Sequence, residues 1–389
     1  MVRILCVTPS LTSRVIREMT ALRKKGHKTE LAYWGIGNSV SHTEIKYAFE
    51  SIYEIPKSHR RLEHYELLFP FKFKKFFKNM SIEDYDVIHT YSNFDTLTIA
   101  AKEYTYKPVI YDVRDMTTLF SLETHLKNYI PPRLREMMFI KSFAGKLIMN
   151  RLKANEKKAF ESSDGTVFTS EYMRDCALTK KGYNVNEYIV LYNYLPSMFL
   201  PKKWPKKHSK ADGKIHIAYV GFLSLTGYRD ILSILKFFAH DDMVLHIYGG
   251  GTPEALSIYK KMSKTNQNFI YEGKFPLRQL TYEIAKSDIG LIPFFPHTDP
   301  EHIQSILPNK LFDYLAAGIP VLSAPSKALE DFITKNKVGK IFQKELLKDY
   351  KSLCGMIENL LHFKINRKNF LMDTHISKLE ELYRRTIKH

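Results

Sequence analysis

Short apolar runs alternate with segments of helical spacing along the first half of the chain. Residues Arg3–Thr8 and Lys28–Tyr33 are predicted to be buried strands, and residues 14–25 between them place apolar side chains on one helical face before Gly26. Two strands joined through a helix are expected to pair in parallel, because a tight hairpin cannot connect them. The alternation continues to about residue 192, so it predicts an open, doubly wound parallel sheet.

The same alternation restarts near residue 214. Residues 201–213 contain two prolines, five lysines and little to bury, which is typical of an interdomain linker. We therefore predict an N-terminal domain (residues 1–200), a linker (201–213), a second α/β domain (214–365) and a C-terminal helical segment (366–389) that packs back on the first domain. Ligands of such sheets bind at the carboxyl ends of the strands, and a cleft between the domains is expected.

One short predicted helix in the second half has polar residues on an otherwise apolar element. Pro308 favours a helix start, and Gly318 predicts its end. Lys310 adds a cation to the positive end of the helix dipole, which is unfavourable unless an anion binds there. Asp313, one turn later, is a carboxylate of the kind that binds ribose hydroxyls. The pattern predicts a nucleotide site; the alternative is a surface lysine and a capping aspartate.

Composition narrows the class of protein. The 389 residues suffice for two domains with separate cores. No run approaches the roughly 18 to 20 apolar residues of a membrane span, and a strand starting at Arg3 leaves no expected signal peptide. The three cysteines lie far apart and are expected to be reduced thiols in the cytosol. The net charge of +18 predicts an anionic partner, for which nucleic acid, acidic lipid headgroups and nucleotides all qualify.

Motifs along nearly the whole chain resemble those of one enzyme family. The segments that carry the likeness are LPNKLFDYLAAGIPVLS (307–323), SRVIRE (13–18), GHKTEL (26–31), DVIH (86–89), VIYDVRD (109–115) and the glycines Gly221 and Gly227. In this order they resemble the GT-B glycosyltransferases of the large retaining family 4. The resemblance implies two tandem Rossmann-like domains, an acceptor-binding one followed by one that binds a nucleotide-diphosphate sugar, with a UDP-sugar favoured. It implies no metal and no cofactor besides that co-substrate.

The resemblance also implies site residues. Lys310 and the N–H groups of residues 309–311 would face the diphosphate, and Asp313 would hold the ribose. The donor-binding residues expected are Arg14, Gly221, Arg229, Gly249, Gly250, Lys274, Phe275, Glu301, Pro308, Asn309, Lys310, Leu311 and Asp313. The catalytic residues expected are Asp112, Arg114, Asp115 and Lys310. The alternative to a donor-binding role is that the glycines only form turns and that a lysine among these residues lies on the surface without a ligand.

The base of the reaction is not fixed by these residues. Arginine cannot act as a base at neutral pH, so Asp112, Asp115 or the donor's own phosphate would accept the acceptor's proton. His89, which ends a predicted strand near the same edge, is equally consistent with a buried histidine bonded to backbone.

Three positions depart from the family pattern. The family's first acid and its basic pair fall on residues that carry no charge, namely Ser305, Phe222 and Thr226. Glu301 is the nearest upstream acid, and Arg229 or Arg14 would have to supply the missing phosphate charge. A catalytically silent GT-B subunit that binds nucleotide or a partner therefore stays open as an alternative.

Two basic aromatic stretches, residues 69–78 and 132–149, predict contact with an anionic membrane. The alternative is a pair of core-packing helices with solvated lysines. We expect a glycan or glycolipid acceptor and a cytoplasmic protein, peripheral on the inner face of the cell membrane. A basic nucleic-acid-binding protein is a second alternative, but lysines also crowd the linker and the C-terminal helices, so no nucleic acid is expected.

Overall fold

The structure is a computed structural model of the chain. It describes residues 1–34, 40–55, 66, 68–92, 95–129, 143–226, 230–240, 242–295 and 300–388. The chain divides into two compact units: Met1–Tyr192 together with His375–His389 form the first, and Asn193–Thr374 form the second. Each unit is built around its own parallel sheet.

The first unit contains a seven-stranded sheet in the order β3-β2-β1-β4-β5-β6-β7, with every pair parallel. The strands are β1 (Arg3–Thr8), β2 (Lys28–Tyr33), β3 (Ser51–Glu54), β4 (Val87–Ser92), β5 (Val109–Val113), β6 (Gly165–Phe168) and β7 (Glu187–Val190). β1 and β5 are buried almost throughout, because helices cover both faces of the sheet, and this explains their continuous apolar sequences.

Helices connect these strands. They are α1 (Ser13–Lys24), α2 (His42–Ala48), α3 (Phe71–Asn79), α4 (Asp95–Tyr104), α5 (Leu122–Tyr129), α6 (Gly145–Ser162) and α7 (Glu171–Asp175), which continues as a π-helix over Cys176–Lys180. The predicted strands Arg3–Thr8 and Lys28–Tyr33 and the helix between them are confirmed, and β1 pairs with β2 in parallel.

The second unit contains a six-stranded parallel sheet in the order β10-β9-β8-β11-β12-β13. Its strands are β8 (Ile215–Val220), β9 (Met243–Tyr248), β10 (Phe269–Gly273), β11 (Ile289–Ile292), β12 (Val321–Ser323) and β13 (Gly339–Ile341). Its helices are α8 (Ser209–Asp212), α9 (Leu232–Leu235), α10 (Pro253–Thr265), α11 (Leu277–Ile284), α12 (Pro300–Ser305), α13 (Asn309–Ala317), α14 (Lys327–Asn336), α15 (Tyr350–Leu361) and α16 (Met372–His375). The fold class predicted from the alternation, two α/β units with parallel sheets, is confirmed.

The stretch predicted as a linker, residues 201–213, lies inside the second unit. The Arg367 guanidinium lies over the Trp204 ring, with its central carbon 3.9 Å from the ring centroid. The Ser209 hydroxyl donates a hydrogen bond to Asp288 at 2.8 Å. These side chains have partners that are distant in sequence, so the composition of the stretch alone did not reveal its packing.

The last helix, α17 (Ser377–Lys388), belongs to the first unit and packs on β6 and β7. Shorter 3-10 turns are Thr117–Leu119, Ser197–Phe199, Lys236–Phe238, Lys344–Lys348 and Arg367–Phe370. Within the described ranges, no helix is both long enough and apolar enough to cross a bilayer.

Candidate functional site

The helix α13 begins and ends where the sequence predicts. Pro308 is its extended N-cap, with φ −71° and ψ 148°, and the N–H of Leu311 donates to the Pro308 carbonyl at 3.0 Å. Gly318 ends the helix in the left-handed region at φ 77°, and a Cβ there would lie 2.3 Å from Nε of Arg367, so only glycine fits. Asn309 is therefore the first helical residue, and the predicted C-terminal glycine is confirmed.

Lys310 is buried at the start of this helix, with only 6% of its surface exposed. Its Nζ lies 4.0 Å from the centroid of the Tyr219 ring and 4.2 Å from that of Phe294, which is cation–π geometry. Asp313, one turn further on, is buried as well. Two aromatic rings thus hold a cation at the positive end of a helix dipole, where it favours the binding of an anion.

Glycines allow the ends of β8, β9 and β10 to approach one another, and the first of them lies beside that ammonium group. A Cβ on Gly221, just after β8, would lie 2.9 Å from Nζ of Lys310. Gly249, just after β9, has φ 143°, and a Cβ there would lie 1.9 Å from the Gly221 carbonyl oxygen. The N–H of Gly249 also donates to the carbonyl of Gly273, at the end of β10, at 2.7 Å. Gly221, Gly249 and Lys310 are therefore brought together in the second unit.

Tyr314 fixes α13 against the sheet. Its hydroxyl accepts a hydrogen bond from the Val220 N–H and donates one to the Leu291 carbonyl, both at 3.0 Å, so it joins β8 to β11. A Cβ on Gly290 would lie 2.2 Å from the Tyr314 ring, so this strand position requires glycine. Sequence reasoning missed Tyr314, Tyr219 and Phe294; the only signal was a glycine within an apolar strand.

Two further predicted donor residues, Lys274 and Phe275, follow the strand β10. Lys274 is exposed after Gly273, and a Cβ on Gly250 would lie 3.9 Å from its Cδ. The Phe275 ring is half-buried, 6.1 Å from that of Tyr248. Lys274 and Phe275 both follow β10, which is parallel to β9. They therefore lie at the same end of the sheet as Gly249, which follows β9.

Glu301 is exposed on α12. Ser305, where the family resemblance expects an acid, is buried, and its hydroxyl donates to the His302 carbonyl at 2.7 Å. Phe222 and Thr226, which stand in place of the basic pair, are exposed. Arg229 and Gly227 lie outside the described residues.

In the first unit, Arg14 and Asp112 form a buried ion pair. Nε and Nη2 of Arg14 donate to the two carboxylate oxygens of Asp112, each at 2.7 Å, and Nη2 also lies 2.7 Å from Glu18. Nη1 donates to the Leu191 carbonyl at 3.0 Å. The guanidinium predicted to supply phosphate charge is thus bonded on all sides by groups of its own unit.

This pairing determines how the two acids ionise. Burial opposes the charge of Asp112, but the Arg14 guanidinium outweighs it and holds the pKa of the Asp112 carboxyl below its usual range. Burial, with Asp112 close by, raises the pKa of Glu18 to about 8. Asp112 is therefore a weak base, which does not favour its predicted role in proton abstraction.

His89 completes the buried network. Its Nδ1 lies 2.6 Å from the Tyr383 hydroxyl and its Nε2 lies 3.7 Å from Asp112, while burial lowers its pKa. Ligand atoms of Glu18, His89 and Asp112 lie within 4.8 Å of one another, close enough to share a metal ion. The Arg14 guanidinium, however, already contacts both carboxylates, and its charge opposes a second cation there.

The remaining predicted catalytic residues follow β5. Burial lowers the pKa of Arg114, although the negative charge of the nearby Asp115 acts to raise it. Both side chains are partly exposed. Of the two predicted acids, Asp115 is therefore the one that solvent or a substrate reaches.

Comparison with known proteins relates this chain to glycosyltransferases. Residues 226–353 match the family model described as the C-terminal domain of glucosyltransferase 3-like proteins. That range includes Gly249, Lys274, Lys310 and Asp313. A search of curated proteins found no match.

Several solved structures are similar over nearly the full chain. Sucrose-phosphate synthase from Thermosynechococcus elongatus has a TM-score of 0.66 at 12% identity, covering 99% of each chain. HepE from Anabaena in complex with UDP has a TM-score of 0.63 at 13% identity, covering 97% of this chain and 98% of its own. WaaG, a glycosyltransferase involved in lipopolysaccharide biosynthesis, has a TM-score of 0.59 at 13% identity, covering 97% and 99%. At these identities the likeness is one of fold: the two parallel-sheet units form a GT-B fold, as predicted.

Proposed function

We propose that this protein is a glycosyltransferase of the retaining family 4 type, which transfers a sugar from a nucleotide-diphosphate sugar to a glycan or lipid-linked acceptor. The observation that carries the proposal is the Lys310 ammonium at a helix start, beside Gly221 and Gly249 at the ends of β8 and β9. The match of residues 226–353 to a glucosyltransferase-like domain supports it. UDP is the favoured nucleotide, because HepE is known with UDP and with UDP-glucose.

The proposed donor chemistry is charge stabilisation. Lys310 and the first amides of α13 would neutralise the departing diphosphate, and Asp313 would accept hydrogen bonds from the ribose. The close-packed glycine backbones would let the nucleotide approach the strand ends. With basic groups and helix amides bearing the phosphate charge, no metal ion is required.

The acceptor's proton is proposed to pass to the donor's own phosphate. Asp112 is held as a carboxylate of lowered pKa by Arg14, so it is a poor base. As the bond between sugar and diphosphate breaks, the leaving oxygen gains basicity and lies on the face where the acceptor must attack if configuration is retained. Asp115 and Arg114 would orient the acceptor.

We propose further that the protein acts in the cytoplasm, at the surface of a membrane. Residues 69–78 carry phenylalanines and lysines in the acceptor-binding unit, and WaaG, of the same fold, is involved in lipopolysaccharide biosynthesis. We infer a peripheral protein that takes its acceptor at an anionic membrane surface.

Ligand-induced stabilisation tests the donor site. The full chain is heated alone and with UDP-, GDP- and ADP-sugars; a true donor at about 100 times its Kd raises the free energy of unfolding by about 2.7 kcal/mol. Release of the nucleoside diphosphate is then measured with lipid and glycan acceptors. Failure of every nucleotide to stabilise the chain would overturn the proposal.

A catalytically silent GT-B subunit is the second candidate. It is favoured by Ser305, an uncharged and buried residue where the family resemblance expects an acid. Strong stabilisation by UDP without release of UDP from any donor sugar would support this candidate instead.

A further inference from the structure

A cavity of about 710 Å³ opens in the first unit between the edge strand β3 and the helix α3. That volume lies within the usual range of small-molecule sites. Most of its wall is apolar or aromatic, contributed by Trp34, Tyr53, Ile55, Phe76, Met80 and Tyr85. None of these residues belongs to the donor site or to the buried network of Arg14.

Three polar groups of that wall are bonded to the Glu30 carboxylate. The hydroxyls of Tyr53 and Tyr85 both donate to the Glu30 carboxylate, at 3.0 and 2.9 Å, and Nε of Arg3 donates to it at 3.0 Å. With these groups satisfied, the two tyrosines contribute mainly ring carbon to the cavity. A ligand that fills it must therefore be largely apolar.

One face of α3 supplies a cation to the same cavity. Lys72, Lys75, Phe76 and Asn79 line it at spacings of three, four and seven residues, whereas Phe73 packs into the core. Nζ of Lys72 is buried and makes no hydrogen bond within the described part of the chain. A buried ammonium group is costly unless it meets an anion, so the ligand must also carry negative charge.

Glu66 does not remove that requirement. Its carboxylate interacts electrostatically with Lys72, but its oxygens accept the backbone N–H groups of Lys72 at 3.0 and 3.1 Å. The acid therefore caps the start of α3, and among the described residues the ammonium group has no hydrogen-bonded partner.

Large aromatic side chains lie exposed beside the cavity. Phe71, next to Lys72, is 74% exposed, and Phe69 is 44% exposed with the Arg151 guanidinium 5.0 Å from its ring centroid. Lys75 and Lys78 are exposed on the same helix. Aromatic rings among lysines are typical of a segment that lies at the headgroup level of an anionic membrane.

We propose that this cavity binds one hydrocarbon chain of an anionic membrane lipid, with Lys72 and Lys75 on its phosphate. The proposal rests on the membrane contact proposed above and adds to it a built site for a single lipid chain. Charge complementarity selects the occupant, because the lining carries more basic than acidic groups. Lys72 and Lys75 border the cavity, while its other basic residue, Arg3, is paired with Glu30 and lies 3.9 Å from Asp84, the acid of the lining. A nucleotide is a poorer fit, because the tyrosine hydroxyls and Arg3 are already bonded to Glu30 and the aromatic part of the wall offers a sugar no hydrogen bonds.

The position of the two tryptophans gives a direct test. The chain has two, Trp34 in the cavity wall and Trp204 in the second unit, so Trp204→Phe leaves Trp34 as the only reporter. Mixed vesicles with phosphatidylglycerol as the minor and phosphatidylcholine as the major lipid are prepared in two forms. Bromine quenches tryptophan fluorescence on contact. In one preparation the phosphatidylglycerol chains are brominated, and in the other the phosphatidylcholine chains are. Both preparations have the same lipid ratio and therefore the same surface charge.

We expect brominated phosphatidylglycerol to quench Trp34 more than brominated phosphatidylcholine, although it carries less of the bromine. In Lys72→Met the quenching should follow bromine content, because the anion preference is lost. The matched control is Lys46→Met, which removes the same charge from an exposed position of α2, outside the cavity lining and outside residues 69–78, and should behave as the parent protein.

Other outcomes overturn the proposal. Vesicle binding without quenching of Trp34 would mean surface adsorption only, and quenching proportional to bromine content in the parent protein would mean nonspecific insertion. Stabilisation of the same variants by UDP is measured separately, so failure of the lipid site and failure of the proposed donor site are distinguishable.

Discussion

Lys310 shows how a single side chain is prepared for a ligand. Its ammonium group lies between the faces of Tyr219 and Phe294, so the long side chain is already held in one region before any anion arrives. Ordering a free lysine on binding costs rotamer entropy, and part of that cost is met here on folding. The same rings exclude water, which strengthens the attraction to a phosphate.

Replacing Lys310 with methionine should therefore separate binding from folding. Lys310→Met keeps the apolar stem between the two rings, so the chain should fold, but the diphosphate loses its cation. We expect UDP-induced stabilisation to disappear and turnover to fall by about 100-fold, the usual cost of one lost charge-stabilising group. Lys340→Met, on the exposed position of β13, is the control. Wild-type turnover in Lys310→Met would remove Lys310 from the donor site.

The residues of the candidate site were predictable where the signal is local. Pro308, Lys310 and Asp313 lie within six residues of one another, so helix rules and charge single them out. Tyr219 and Phe294 could not be found this way, because they approach Lys310 only when β8 and β11 pair. The same holds for Arg14 and Asp112, which are 98 residues apart, so the sequence predicts separate roles for them and not their ion pair.

Whole elements were predicted better than their partners. Alternating apolar runs and helices gave the parallel sheets of both units, because buried strands are apolar throughout and each crossover needs a helix. The lysines and prolines of residues 201–213 predict a linker. Composition could not show that Trp204 and Ser209 have partners in the second unit.

On the sheet strands β8 and β9, two buried histidines lie within hydrogen-bond distance of each other. Nδ1 of His216 lies 2.8 Å from Nε2 of His246. The outer nitrogens face carboxylates, with Nε2 of His216 3.0 Å from Asp212 and Nδ1 of His246 2.7 Å from Glu272. His216 therefore lies between a second imidazole and a carboxylate.

Acid should weaken this part of the second unit. Burial lowers the pKa of His216 despite the nearby Asp212, and burial also lowers that of His208, whose ring stacks on His246. The unfolded chain, with a histidine pKa of about 6.5, then binds more protons than the folded one, so stability is complete above that pH and is lost as the pH falls below it.

Urea unfolding at a series of pH values measures this effect. We expect the free energy of unfolding to fall between about pH 6.5 and 5, by at most about 1.4 kcal/mol per pH unit for each proton. His216→Gln should show a smaller slope, whereas His362→Gln, exposed after α15, should keep the parent slope. An unchanged slope in His216→Gln would mean that His216 is not the group responsible.

At the scale of the whole molecule, the chain returns to its first unit after completing the second. The final helix α17 packs on β6 and β7. Its Glu380 carboxylate lies 2.9 Å from Nε2 of His27. Tyr383 of this helix reaches the buried network, where its hydroxyl meets His89 across 294 residues of sequence. The first unit therefore includes α17, which the whole second unit separates in sequence from the rest of it.

Tyr383→Phe tests that dependence. Removing the hydroxyl leaves Nδ1 of the buried His89 without its partner, so we expect the first unit to lose about 1–3 kcal/mol of stability. Tyr106→Phe, which removes an exposed hydroxyl bonded to Glu83, should change stability little. The increase in unfolding midpoint produced by UDP should persist in both variants, because the proposed diphosphate and ribose ligands Lys310 and Asp313 belong to the other unit. Normal stability with a lost response to UDP in Tyr383→Phe would mean that the chain end acts on the donor site, not on the core of its own unit.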